Sequence, residues 1–233
     1  MLKSKKVLIP SVIIFCVIEA TLGVLLQRAP YGYYYSFYSV VLACVFFILF
    51  AERSLSYILT QVALIATICA DYFLVLLFAK DKLTAMIFFA VVQIAYFLRI
   101  YLEDESKKRR VWHIASRVIL SVIGAVLTYS VLGPATDALA LVSIFYYANL
   151  ILNVVFAFLS FKRHSVLAIG LFLFFLCDTV IGLSLLNLYF PISQDSSLYA
   201  IIHPGFDLAW AFYLPSQTLI ALSLLPKRLK KKS

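Results

Sequence analysis

Four carboxylates stand inside long apolar stretches of the chain: Glu19, Asp71, Asp178 and Asp207. An ionised carboxylate in hydrocarbon costs roughly 2.5–3.5 kcal/mol on insertion scales, so each needs a partner, a proton or a water-filled cavity. Asparagine would hydrogen-bond as well at lower cost, so Asp71 and Asp178 point to a task that needs a carboxyl, giving or taking a proton. The cations nearest to them in the apolar runs, Arg99 and Arg117, lie toward the opposite ends of their segments and are expected to snorkel outward rather than neutralise the acids. Glu19, Asp71 and Asp207 each fall about seven residues, or roughly 10 Å, from the same end of their segments, with Asp178 nearer the middle. All four can converge on one cavity, where at least some carry or share a proton.

Polar residues recur at helical spacing around that depth. Thr60, Thr67 and Asp71 share one face; Tyr146, Asn149 and Asn153 share another; His203, Asp207, Trp210 and Gln217 follow a third stripe. Such stripes belong toward a bundle interior, either as hydrogen bonds between helices or as the lining of a site. Other chemistries find no pattern: there is no Gly-x-Ser-x-Gly elbow, Walker loop or His-Glu-x-x-His pair. Only His203 of the three histidines lies on the side of the acids, so no metal or cofactor is expected.

The elements that must position these groups follow from composition. The 233 residues are 64% hydrophobic and 13% charged, against about 45–50% and about 25% in soluble domains, which excludes a soluble enzyme. The apolar residues come in blocks near 20 long, the length that crosses a ~30 Å hydrocarbon core. The expected fold is an all-α polytopic bundle of eight spans, over 7–26, 34–51, 55–78, 83–102, 113–132, 138–161, 165–190 and 200–225, forming one integral membrane domain over 1–233. Assigning loops to alternate sides places fifteen of the 20 Lys and Arg residues on one side, and Arg28, Lys80 and Lys82 on the other. The positive-inside rule then puts both termini in the cytoplasm of a multi-pass protein, in the cell membrane if the source is bacterial. The net charge of +9 resides in short loops and tails, so it favours anionic headgroups over nucleic acid as partner. The first block is too long, and too poor in a cleavage site, for a signal peptide and is expected to remain as a helix. Cys16, Cys44, Cys69 and Cys177 all fall in apolar blocks without metal spacing, which makes them small buried hydrophobes.

The pieces Ala70-Asp71-Tyr72-Phe73-Leu74, Phe89-Ala90-Val91-Val92-Gln93-Ile94-Ala95-Tyr96, Cys177-Asp178-Thr179 and Tyr213-Leu214-Pro215-Ser216-Gln217 occur in that order. Together they resemble the lysoplasmalogenase (YhhN-like) family of small polytopic membrane proteins, over residues ~55–225. The family pattern has Gly, His and Ser where this chain has Ala70, Gln93 and Cys177. Both aspartates are kept, whereas Gln93 hydrogen-bonds but carries no proton near pH 7. The resemblance implies hydrolysis of the vinyl-ether bond of a lysophospholipid entering from the bilayer, with Asp71 and Asp178 as acid and carboxylate in an order left open. It also implies Gln93, Tyr146, Asn149, Asn153, His203, Asp207 and Gln217 as the residues around the substrate and water. The alternative is a proton-coupled transporter or lipid-binding membrane protein without hydrolytic activity, which would also need acids at mid-depth. The oligomeric state is not readable from the sequence.

Overall fold

The computed structural model describes residues 5–77, 81–186, 193, 195–202 and 206–225, and every regular element among them is helical. The helices are α1 (Lys5–Arg28), α2 (Tyr34–Phe50), α3 (Leu55–Asp71), α4 (Lys82–Glu103), α5 (Lys107–Leu132), α6 (Ala138–Leu159), α7 (Phe161–Leu186), α8 (Ser197–Ile202) and α9 (Leu208–Leu222). Short hydroxyl and acid side chains start them. Ser54, Asp81, Ser106, Asp137 and Asp207 each accept a hydrogen bond from the backbone N–H three residues on, satisfying a donor the helix itself leaves open. Asp81 is held below the usual carboxylate range chiefly by the Thr84 hydroxyl and also by the Thr84 backbone N–H.

Among the described residues six helical stretches are long and apolar enough to cross a membrane, α3 only together with the turn that continues it to Leu76, and α2 and α9 are shorter apolar helices of 17 and 15 residues. The eight expected blocks are thus all helical over most of their length, but six rather than eight reach the length of a span. The largest departure is at 200–225, expected as one helix. The described parts are α8 and α9, with Asp207 as the exposed N-cap of α9. An aspartate at that point bonds the open backbone N–H groups of a new helix, so it starts α9 rather than lying within a continuous one.

Antiparallel packing brings alternate ends together. Gln27 at the end of α1 reaches the start of α9, Glu52 donates its backbone N–H to Leu224 O beyond the end of α9, and Ser56 at the start of α3 bonds Glu103 at the end of α4. Small residues let the inner helices approach: Ala63, Ala66 and Ala70 on α3 and Ala85 and Ala95 on α4 are buried. The most extensive interface, α7 on α9, is set by Gly170, where an added Cβ would lie 3.1 Å from Ile220 Cγ1 and 3.2 Å from the Ser216 carbonyl. Gly170→Leu is therefore expected to destabilise the protein by about 1–3 kcal/mol through overpacking. Thermal unfolding in detergent checks this against Gly182→Leu, where a Cβ meets nothing within 4 Å and no loss of that size is expected.

The rim of the bundle is different. α5 packs mainly on α6 and turns Val118, Ile119, Val122, Ile123, Val126 and Leu127 outward. Such a face suits lipid, where backbone bonds are satisfied within the helix and apolar side chains meet acyl chains.

Candidate functional site

Asp71 is the last residue of α3, and it is followed at once by a π turn, Tyr72–Leu76, closed by Leu77 N–H to Tyr72 O at 2.9 Å. Such insertions re-aim the chain and occur often at functional sites. The stripe Thr60, Thr67, Asp71 is buried, but the two threonines donate to carbonyls of their own helix, at Ser56 and Ala63. Asp71 instead reaches across the bundle. Tyr213 Oη of α9 donates to its Oδ2 at 2.6 Å, while Oδ1 has no hydrogen-bond partner.

Asp178 of α7 has a matching arrangement: Tyr146 Oη of α6 donates to its Oδ2. Its side chain is partly exposed, whereas Asp71 is 1% exposed. Phe89 of α4 and Phe174 of α7 join the two pairs. Ring centroids lie 5.8 Å apart for Phe89 and Tyr146, 6.1 Å for Phe89 and Phe174, and 5.8 Å for Phe174 and Tyr213. The ring contacts thus run without a break from the Tyr146 partner of Asp178 to the Tyr213 partner of Asp71. Two carboxyl–phenol pairs thus flank an aromatic wall, and the arrangement can place one proton donor and one anion on either side of an apolar, electron-rich group.

The remaining expected site residues divide. Gln93 and Asn153 are brought together, with Asn153 Nδ2 donating to Gln93 Oε1 at 3.0 Å and to its backbone carbonyl at 2.8 Å. Asn153 Oδ1 in turn accepts from Arg117 Nη2 at 2.5 Å. Arg117 does not snorkel: it is 7% exposed, stacked over Phe97 at 4.1 Å. Arg99 is also buried, donating to Thr60 Oγ1 and Ser223 Oγ at 2.9 and 2.8 Å. Both find hydroxyl, amide or carbonyl acceptors inside the bundle, so there is no need to reach for water. Asn149 donates to Phe145 O of its own helix, and buried Gln217 Nε2 contacts Ser216 Oγ at 3.4 Å. His203 lies outside the described residues. Asp207 caps α9, and Glu19 accepts a hydrogen bond from Ser39 Oγ of α2 at 2.5 Å.

The Asn153 bond to Arg117 carries a prediction of its own. Asn153→Leu removes a side-chain oxygen that accepts from the buried guanidinium, and is expected to cost about 2 kcal/mol. A lowered unfolding temperature in detergent, with Gln93→Leu lowering it less, is the expected result.

A groove of about 470 Å³ runs between α1 and α9, and one of about 460 Å³ lies at the α4–α5 and α6–α7 turns among Glu103, Arg109 and Arg163. Asp71 and Asp178 line neither. Among the described residues no group of three or more His, Cys, Asp or Glu side chains is placed to hold a metal ion.

Residues 32–224, most of the chain and all of α2 to α9, match the model of the YhhN family. The chain belongs to the YhhN family. No curated protein and no solved structure matches it significantly. The matched range takes in both aspartates, both tyrosines and the two phenylalanines of this candidate site, and leaves out α1.

Three members of the candidate site are not marked by the pattern of any single helix. Tyr213 stands in one of the recognised pieces, three residues after Trp210 and four before Gln217, and that spacing was its signal. Phe89 opens another of those pieces, whereas Phe174 carries no mark that sets it apart from the other phenylalanines of the chain. Only the meeting of the two rings, 6.1 Å apart, joins them to the tyrosines.

Proposed function

We propose that this YhhN protein is a membrane-embedded hydrolase that cleaves the vinyl-ether bond of lysoplasmalogens, releasing a fatty aldehyde and a glycerophospho headgroup. The observation that supports it is the pair of tyrosine-bonded aspartyl groups, Asp71 and Asp178, linked through the rings of Phe89 and Phe174. Family membership is in keeping with the reading.

Vinyl-ether cleavage begins with protonation of the enol carbon remote from oxygen. A neutral carboxyl of the pair gives that proton, and the electron pair of the double bond forms the new C–H bond. The ether-bearing carbon becomes an oxocarbenium ion, stabilised by the second, ionised carboxylate. That carboxylate takes a proton from water as the water oxygen bonds to the cationic carbon, giving a hemiacetal. Proton return to the glycerol oxygen and loss of the hemiacetal hydroxyl proton break the C–O bond and restore one acid and one carboxylate. Tyr146 and Tyr213 hold the carboxyls in place, and the apolar rings of Phe89 and Phe174 suit the start of a hydrocarbon chain and a developing cation.

Purified protein in detergent with lysoplasmalogen in heavy water tests this. The expected products are free glycerophospho headgroup and aldehyde carrying one deuterium on the carbon next to the carbonyl. Proton-dependent uptake of lipid into liposomes without aldehyde would replace the hydrolase reading by transport.

A further inference from the structure

The groove between α1 and α9 is built of two unlike parts. Its walls are apolar, formed by Ala20, Gly23 and Val24 of α1 and Ala211 and Leu214 of α9. Two charged side chains also line it. Arg28 is exposed at the end of α1, and Glu19 lies nine residues deeper, about 13 Å along a helix that rises 1.5 Å per residue.

Glu19 is 4% exposed, and although Ser39 donates to its Oε2, its Oε1 has no hydrogen-bond partner. An unpaired oxygen so far from water is costly, and it calls for a donor or a polar group from a bound molecule. The Arg28 end is fixed in place. Gln27 clasps the start of α9 through both ends of its amide, Nε2 donating to Asp207 O and Oε1 accepting from Asp207 N–H, each at 2.8 Å. The groove also touches the aspartate site: Trp210 lines it and meets Tyr213, the partner of Asp71, edge-on at 5.3 Å.

We propose that this groove seats one single-chain glycerophospholipid, with its phosphate on Arg28, its glycerol segment at the depth of Glu19 and its hydrocarbon chain along the apolar walls. The proposal rests on the hydrolase reading for the choice of a single-chain lipid. The reach of an arginine side chain plus a glycerol backbone spans the distance from Arg28 to Glu19, and a cation at the mouth complements a phosphate. A neutral single-chain lipid would leave Arg28 without a counter-charge, and a polar lipid group at Glu19 gives Oε1 the partner it lacks. Because α1 lies outside the residues that match the family, one wall of this seat is supplied by a part of the chain the family match does not cover.

The chain has two tryptophans, so a Trp112→Phe protein reports from Trp210 alone. The probe is an ester-linked lysophosphatidylcholine with bromines on its chain, added in detergent. Saturable quenching, reversed by the unbrominated lipid, is expected. Arg28→Gln should raise the half-saturating concentration about fivefold, and Ala20→Phe, at an exposed groove position with room for a ring, should remove the saturable part. Brominated monoacylglycerol should quench wild type and Arg28→Gln alike.

Quenching that rises linearly with probe, or that neither substitution changes, overturns the seat even if aldehyde release continues. Saturable, Arg28-dependent quenching in a protein that releases no aldehyde from lysoplasmalogen leaves the seat standing and removes the hydrolase.

Discussion

Aldehyde release from lysoplasmalogen is expected to fall by about 10²–10⁴-fold in Asp71→Asn and by a similar factor in Asp178→Asn, the range that loss of a general acid or base produces. Asparagine keeps the shape of the side chain and an oxygen able to accept from Tyr213 or Tyr146, so the bundle should still assemble. What it lacks is the ability to hold and release a proton. The two carboxyls act on one transition state, so the double variant should be little worse than either single one. Turnover measured as aldehyde per enzyme, alongside elution as a single folded species in detergent, checks the claim. Wild-type turnover in either variant would end the two-carboxyl mechanism.

The second large effect belongs to the tyrosines, and the two should differ. Tyr213→Phe takes away the one hydrogen bond that Asp71 makes, leaving both carboxyl oxygens unpartnered in a side chain that is 1% exposed. Removing a partner from a buried polar group costs about 1–3 kcal/mol. Tyr146→Phe removes the bond to Asp178, a residue less fully buried than Asp71, so the vacated place is less costly. Tyr213→Phe is therefore expected to lower both unfolding temperature and kcat, the latter by about ten- to a hundredfold if one or two factors of 1.4 kcal/mol are lost from positioning. Tyr146→Phe should lower kcat with the smaller loss of stability. Equal unfolding temperatures for the two variants would contradict the difference in burial on which this rests.

The sequence by itself determined the class of molecule. Blocks of apolar residues broken by charges specify helices that cannot be covered in water, and the location of most blocks followed within a few residues, 200–225 excepted, where α9 starts afresh at Asp207. It also marked Asp71 and Asp178, because a carboxyl among leucines and phenylalanines is conspicuous whatever its surroundings. The pieces around them were enough to bring the family into view.

The tertiary structure decided which of those polar groups meet. Asn149 and Asn153 share a face of α6, yet one bonds its own helix and the other bonds Gln93 and a buried arginine. Asp207 was spaced like the other acids and became a helix cap. The period of 3.6 fixes which residues of one helix share a face, but the rotation and depth of that helix against its neighbours depend on packing by residues far away in sequence. Tyr213 reaches Asp71 across 142 residues, and no local pattern encodes that contact.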